Sequence, residues 1–177
     1  MKYLFLITAM MVGLMSDASE AIEIDKENTL YLDIEAGRIV IAMRPDVAPN
    51  HVARIKELTR EGFYDGTIFH RVIPGFMAQG GDPEGTGTGG SGQNLKPEFS
   101  QVPHLRGTVS MARAQSEDSA DSQFFIVYDR SPFLDRTYTV WGRVISGMDV
   151  VDQISKGEPP ANPTKIVRMQ VAADADE

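Results

Sequence analysis

The sequence predicts one mainly β domain, built as an all-β barrel or sandwich. Several short runs alternate between apolar and polar residues or are rich in β-branched and aromatic residues, and glycines and prolines separate them. Only two segments show the spacing of a helix. A chain of 177 residues suits a single domain with a substantial core.

The first elements are predicted to be a hairpin and a helix. Leu30 to Ala36 alternates as a half-buried strand does, and Arg38 to Met43 runs back after a turn. Pro49 suits the first helical position because its missing N–H costs nothing there, and Gly62 is a natural terminator. The apolar stripe of this helix consists of Val52, Ile55, Leu58 and Thr59.

A second hairpin is predicted around the Pro74-Gly75 turn. The strands are Ile68 to Ile73 and a shorter one that starts over Phe76 to Gln79. Strand alternation predicts that Arg71 shares a face with Phe69 and Ile73, while Gln79 returns close to it across the turn. An arginine among bulky apolar side chains is unusual, because arginine is seldom buried without a partner.

The remaining elements are three strands, a helix and a closing strand. The helix is predicted over Gly147 to Lys156, with Ser146 as its N-cap and Gly157 as its terminator. The strands are predicted over Val109 to Met111, Phe124 to Val127, Tyr138 to Val144 and Lys165 to Ala172.

The segment from Gly85 to Gly92 is dense in glycine and contains a G-x-G-x-x-G match. A dinucleotide site would need a strand before this match and a helix after it, whereas Gln-Asn-Leu-Lys-Pro follows. We therefore interpret it as a surface loop that passes close to a binding groove.

Composition and charge exclude several classes of function. There are no cysteines, which removes disulfides, thiolate nucleophiles and Cys-ligated zinc. The formal net charge is −8 and no basic run is present, so nucleic-acid binding is not expected. The acidic residues Glu117, Asp118 and Asp121 fit no EF-hand spacing and are interpreted as a solvated loop, so no metal site and no cofactor are predicted.

The N-terminus has the features of a cleavable signal peptide. Lys2 is followed by an uncharged, mostly apolar run from Tyr3 to Met15, which is too short to span a bilayer. Small residues precede a cleavage point after Ala21, and Ser16-Asp17-Ala18 is a second candidate. The prediction is a signal peptide over 1–21 and a domain over 22–177, periplasmic or secreted, with no stable membrane anchor after cleavage. The alternatives are an uncleaved anchor and an amphipathic N-terminal helix.

Two separated signatures resemble those of the cyclophilin family of peptidyl-prolyl isomerases. The first is Phe69-His-Arg-Val-Ile-Pro-Gly-Phe-Met-Ala-Gln-Gly-Gly-Asp82. The second comprises Gly107 to Ala114, Asp121 to Ile126, Phe133-Leu-Asp135 and Val140-Trp-Gly142. The resemblance covers roughly Thr29 to Val171. It implies a closed eight-stranded antiparallel β-barrel with two capping α-helices, and a monomer that accelerates cis–trans isomerisation of X–Pro bonds in proline-containing polypeptides, thereby assisting folding.

The resemblance also implies the residues of the active site. Arg71 would donate to the prolyl nitrogen of the twisted amide, and Gln79 would orient Arg71 and bind a substrate carbonyl. The implied substrate-binding residues are Phe76, Met77, Ala112, Arg113, Phe125, Phe133, Leu134 and Tyr138. Phe69 is expected to be a wall or core residue.

Two positions depart from the best-known cyclophilins. Phe133 stands where cyclosporin-sensitive members have tryptophan, and Tyr138 stands where they have histidine. Both residues can still form the wall of an apolar pocket, so catalysis is expected to persist while cyclosporin affinity falls.

Two other classes of function stay open from the residues alone. One is a peptide-binding or chaperone module without useful catalysis, and the other is a barrel that holds a small ligand inside. The three histidines, His51, His70 and His104, are far apart in sequence and match no hydrolase or zinc-protease motif.

Overall fold

A computed structural model describes residues 25–175 as eight antiparallel strands and two α-helices. The strands are β1 (Thr29–Ile34), β2 (Gly37–Met43), β3 (Arg71–Ile73), β4 (Met77–Gly80), β5 (Thr108–Met111), β6 (Phe124–Val127), β7 (Val140–Ser146) and β8 (Ile166–Val171). The helices are α1 (Pro49–Arg60) and α2 (Met148–Val151). One-turn 3-10 helices lie at Lys26–Asn28, Glu117–Ser119, Pro132–Leu134 and Ala172–Asp174. The predicted mainly β class is confirmed.

The predicted signal peptide, residues 1–21, lies outside the described residues. Within residues 25–175, neither α1 nor α2 has the length and apolar character that crossing a lipid bilayer requires.

The eight strands form one sheet that curls into an open half-barrel, in the order β3-β4-β6-β5-β7-β2-β1-β8. The expectation of a closed barrel is wrong, because loop groups occupy the two sheet edges. The N–H and carbonyl of Gly157 bond Val72 of β3 at 2.9 and 2.8 Å. On β8, the N–H of Met169 donates to Asp65 Oδ1 at 2.8 Å. Between the described residues on either side of the remaining gap, the backbone contacts are isolated hydrogen bonds, such as that from the N–H of Phe69 to the carbonyl of Thr164.

The main core lies between the sheet and the helices. The predicted apolar stripe of α1 is buried, and so is one face of the β1–β2 hairpin. Phe124 is central, because its ring meets those of Phe69 and Trp141 edge to face at 6.3 and 5.9 Å. Phe69 is fully buried in this cluster and is therefore a core residue.

The second helix is shorter than predicted. Gly147, with a φ of +88°, is the N-cap, so Ser146 belongs to β7 and makes no cap. A side chain at Gly147 would place its Cβ 2.4 Å from the carbonyl oxygen of Arg38, which explains the glycine. The helix ends at Val151. Lys156, predicted to belong to it, lies beyond this end, and its Nζ donates to the carbonyls of Asp152 and Ile154 at 2.7 and 2.8 Å.

Candidate active site

The β3–β4 hairpin places Arg71 on the sheet face opposite the main core. In this hairpin Arg71 lies across from Gln79, and Ile73 lies across from Met77. Because side chains alternate along a strand, Val72 points into the main core while its two neighbours point away from it. The predicted proximity of Arg71 and Gln79 is confirmed, but Phe69 lies in the main core and does not share the face of Arg71.

A second apolar cluster forms the floor of a groove on this face. It is separate from the main core, and β6 contributes its central ring by placing Phe125 beside Gln79 of β4. Its buried members are Met77, Ala112, Phe125, Val127 and Leu134, with Ile73, Phe76 and Tyr138 packed against them. An apolar cluster on an outer face of the sheet gives the groove a surface suited to an apolar group.

A cavity of about 90 Å³ opens over this floor, and nine of the ten predicted site residues line it. Its lining consists of Arg71, Phe76, Met77, Gln79, Ala112, Arg113, Phe125, Leu134 and Tyr138. The volume is far below the roughly 300–1,000 Å³ of a pocket for a drug-sized ligand. Two cationic side chains, Arg71 and Arg113, and the amide of Gln79 therefore face a compartment that fits a single small apolar ring.

Phe133 lies at the rim of the groove rather than in the cavity. Its side chain is 68% exposed, and its ring centre lies 5.3 Å from that of Phe76. The 3-10 turn Pro132–Leu134 explains why Phe133 does not line the cavity while Leu134 does, because the turn buries Leu134 and directs Phe133 outward.

Arg113 and Tyr138 form one wall of the cavity together. The Arg113 guanidinium lies 4.8 Å from the centre of the Tyr138 ring, and it donates to the carbonyls of Thr137, Ala114 and Gln115. These bonds hold a positive charge in a fixed position beside the cavity.

Gln79 is joined to the glycine-rich loop through Gln123. The Gln79 amide donates to Gln123 Oε1 at 2.9 Å, and Gln123 Nε2 donates to the carbonyls of Gly87 and Gly89 at 3.0 and 2.9 Å. The predicted passage of this loop beside the groove is confirmed. A larger pocket of about 360 Å³ lies between the loop and the groove and shares Gln79 with the smaller cavity.

Two residues of this region were not predicted to act in the site. Gln123 belongs to the second signature, and its position before two buried phenylalanines was the available signal. Glu158 accepts a hydrogen bond from Arg71 Nε at 2.8 Å, so Arg71 pairs with this carboxylate and not with Gln79. No sequence signal identifies Glu158, because 87 positions separate the partners.

The histidines are buried and do not reach the groove surface. His51 and His104 have no exposed surface and His70 is 6% exposed. Burial disfavours the charged imidazolium and lowers the pKa of all three.

Ser110, His104 and Asp135 are linked in the order found in serine hydrolases. His104 Nε2 lies 2.8 Å from Ser110 Oγ, and Nδ1 lies 3.1 Å from Asp135 Oδ1. Ser110 and His104 have no exposed surface, so no substrate can reach them. The trio is a packing element behind Phe125, on whose ring His104 stacks at 6.2 Å.

No group of three metal-ligating side chains comes together within residues 25–175. Asp121, one of the three acidic residues that were predicted to belong to a solvated loop, accepts hydrogen bonds from the backbone N–H of Ser91 and Gly92 at 2.7 and 2.9 Å. It therefore holds the glycine-rich loop, while Glu117 and Asp118 are exposed.

Comparison with protein families gives a match over residues 29–171 to the model described as cyclophilin-type peptidyl-prolyl cis-trans isomerase. A probable peptidyl-prolyl cis-trans isomerase of Brucella suis is 49% identical, over 94% of this chain and 92% of its own length. Peptidyl-prolyl cis-trans isomerase B of Bacillus subtilis is 47% identical over 73% of this chain and 92% of its own.

Solved structures of similar fold are also cyclophilins. A cyclophilin from Hirschia baltica superposes with a TM-score of 0.80 at 32% identity, covering 86% of this chain and 77% of the other. A cyclophilin-type isomerase of Cryptosporidium parvum, solved in the presence of the dipeptide Ala-Pro, gives 0.76 at 29% identity, covering 81% and 98%.

Proposed function

The chain belongs to the cyclophilin-type peptidyl-prolyl cis-trans isomerases, and on that premise we propose that Arg71 assists the reaction by weakening the resonance of the X–Pro amide. The observation that carries the proposal is the cavity in which this half-exposed cation faces a buried apolar floor. A proline ring on that floor would bring the prolyl nitrogen to the side of the cavity that Arg71 lines.

The reaction requires a site that binds the twisted X–Pro amide more tightly than the planar one, and an apolar cavity with a hydrogen-bond donor can supply this. The C–N bond of a peptide has partial double-bond character, and its rotation barrier is about 18–20 kcal/mol. Unaided, an X–Pro bond relaxes in roughly 10–100 s. A 10⁵-fold acceleration would require about 7 kcal/mol of preferential binding to the twisted amide. No proton, metal ion or covalent intermediate is needed for such a step.

Arg71 suits the role because of the shape and charge of its side chain. In the planar amide the nitrogen lone pair is delocalised into the carbonyl, and it becomes available as an acceptor only when the bond twists. A guanidinium is always charged and holds its N–H donors in a fixed plane. A donor aimed at the twisted nitrogen therefore stabilises the transition state more than either ground state.

The other residues of the cavity bind and orient the substrate in this proposal. Phe76, Met77, Phe125 and Leu134 supply the apolar walls for the proline ring, and Gln79 binds a substrate carbonyl from a position fixed by Gln123. Ala112, Arg113 and Tyr138 in the cavity and Phe133 at its rim would make the remaining contacts with the substrate.

The proposed physiological role is that of a folding helper outside the cytoplasm. The Lys2–Met15 segment supports export, and cleavage after Ala21 would release a domain of residues 22–177, which we propose acts as a monomer. Its substrates would be unfolded or partly folded proteins in the periplasm or medium, because slow X–Pro bonds limit folding there.

Replacement of Arg71 tests the mechanism. Arg71→Ala should lower the rate of X–Pro exchange by about 10²–10³, by analogy with the removal of one oxyanion-hole donor. Arg71→Lys should fail almost as badly, because a point charge does not replace the planar fork. The measurement is NMR exchange on a short X–Pro peptide with thermal unfolding on the same samples. Turnover of Arg71→Ala close to that of an active wild type would show that the protein isomerises by another route. An inactive wild type would show that the protein is a peptide-binding module without useful catalysis.

A further inference from the structure

Glu158 is the ion-pair partner of Arg71. Its Oε2 accepts from Arg71 Nε at 2.8 Å, and the two side chains are 51% and 44% exposed. The carboxylate comes from the loop between α2 and β8, far along the chain from β3. An isolated pair of this exposure contributes little to folding.

The backbone builds this pair into the fold. The residue before Glu158 is Gly157, whose N–H and carbonyl form two hydrogen bonds with Val72, the neighbour of Arg71. Gly157 has a φ of +143°, and a Cβ there would lie 2.6 Å from Pro160 Cα, so only glycine allows the loop to pass this way. The carboxylate is therefore held next to Arg71 by main-chain hydrogen bonds between Gly157, which precedes Glu158, and Val72, which follows Arg71.

The contact with Glu158 engages the Nε edge of the guanidinium and does not use the Nη edge. Glu158 occupies Nε, and among residues 25–175 neither Nη group of Arg71 has a hydrogen-bond partner. Because the guanidinium is planar, holding Nε restricts the plane in which both Nη groups lie. Glu158 does not line the cavity whereas Arg71 does, so the contact that the structure shows between Glu158 and the site runs through Arg71.

We propose that Glu158 is a positioning residue that holds the Arg71 guanidinium in its catalytic orientation. This inference rests on the proposed function of Arg71. An arginine that must be ordered from several rotamers at the transition state stabilises it less than one already in place. We expect the effect on kcat, because substrate affinity depends on the apolar floor, and that floor is formed by other residues.

Three substitutions at Glu158 and one control measure the effect. Glu158→Ala should lower kcat about five-fold with KM unchanged, which corresponds to about 1 kcal/mol. Glu158→Gln, which keeps an acceptor oxygen without the charge, and Glu158→Asp should lose less. The control is Asp46→Asn, which removes the negative charge from the similarly exposed pair of Arg44 and Asp46 away from the cavity and should leave kcat unchanged.

A spectroscopic readout separates positioning from general destabilisation. The Arg71 Nε–Hε cross-peak should be ordered and slow to exchange in wild type and in Asp46→Asn. In Glu158→Ala it should shift and exchange faster, while the melting temperature stays within the range of the control.

A double-mutant cycle with Arg71→Ala decides the matter. If Glu158 acts through Arg71, Glu158→Ala has no further effect on the residual rate of Arg71→Ala. An unchanged or raised kcat in Glu158→Ala beside an inactive Arg71→Ala overturns this inference alone, as does an equal loss in both backgrounds. Near wild-type turnover in Arg71→Ala overturns the proposed function, and this inference with it.

Discussion

At the residue scale, the central feature is that Arg71, the cation proposed to act on the X–Pro amide, stays half exposed. Arg71 combines a carboxylate partner at Nε with a place in the cavity lining. Its neighbour Val72 has no exposed surface, so Val72 anchors the strand in the core while Arg71 faces the cavity. Substitution of Arg71 should therefore change activity with little change in stability.

Phe133 is the residue at which inhibitor binding and catalysis should separate. It is 68% exposed and packs mainly on Phe76, so replacing it changes the groove rim and leaves the floor intact. We expect weak cyclosporin inhibition in wild type and about ten- to hundred-fold tighter inhibition in Phe133→Trp, because the indole adds an N–H donor and contact area. Turnover of an X–Pro peptide should change much less.

The test is a paired titration of both proteins with cyclosporin, with turnover measured on the same samples. Low-nanomolar inhibition of wild type, or identical affinities, would show that Phe133 does not govern inhibitor binding. Tyr138 would then be the next position to vary, since it lines the cavity itself.

At the element scale, the glycine-rich loop is held in place by two carboxylates. Asp82 has no exposed surface and accepts from the backbone N–H of Glu84, Thr86, Gly87 and Gly89. Burial alone would raise the pKa of Asp82, but the N–H bonds outweigh it and the pKa is lowered. The loop that borders the groove is thus ordered by charge-assisted hydrogen bonds.

Asp82→Asn should loosen this loop. The new amide would direct an NH₂ group at backbone donors, and a buried unsatisfied polar group costs about 1–3 kcal/mol. Faster hydrogen exchange at Gly87 and Gly89 and a lower melting temperature are the expected results. Asp118→Asn is the control, because Asp118 is exposed in the Glu117–Ser119 turn. Equal protection of the loop in both variants would argue against a structural role for Asp82.

Gln123 links this loop to the groove, so its truncation should affect catalysis through Gln79. Gln123→Ala removes the acceptor of the Gln79 amide and two donors to the loop. We expect kcat/KM to fall by about ten-fold, equivalent to about 1.4 kcal/mol for lost hydrogen bonds. A comparable variant away from the groove, Gln153→Ala, should keep wild-type kinetics. If both variants behave alike, Gln79 does not depend on Gln123.

At the scale of the whole molecule, the three buried histidines make stability depend on pH. Their pKa values are lowered by burial, so below about pH 6.5 the unfolded chain binds more protons than the folded one. Stability is therefore complete above this value and is lost as pH falls. A second loss of stability is expected between about pH 4 and 2, where Asp135 becomes protonated. Its pKa is lowered to about 2, mainly by the hydrogen bond from Arg130 and also by those from the backbone N–H and the ring of His104.

Thermal unfolding from pH 8 to 5 measures the first effect. The melting temperature should be level above pH 7 and decline below about pH 6.5. His104→Gln should make the decline shallower, whatever its absolute stability. A wild-type profile that is flat between pH 7 and 5 would contradict the assignment.

Export is the second prediction for the whole chain. In a Gram-negative host the full sequence should yield a periplasmic protein whose N-terminus is Ile22 or a close neighbour. Leu6→Arg, which places a charge in the apolar run, should retain the protein in the cytosol with Met1 intact. Recovery of wild type from the cytosol starting at Met1 would refute the export hypothesis.

The sequence by itself determined the local elements and most of the groove. Periodicity located every strand to within a few residues and the start of α1 at Pro49, because each of these depends on neighbours in the chain. The family resemblance named the nine residues that line the cavity, eight of them within the quoted signatures and Tyr138 between two of these. Local pattern failed where a long-range contact sets an end, as at Gly147, which the backbone of β2 requires to be glycine.

Only the tertiary structure decided how the sheet closes and what holds Arg71. The half-barrel stays open because Gly157 and Asp65 bond to the edge strands, and both contacts join segments far apart in the chain. The same loop delivers Glu158 to Arg71. Periodicity reports which face of an element is buried, but it carries no information on which distant groups meet there, since that depends on packing of the whole chain.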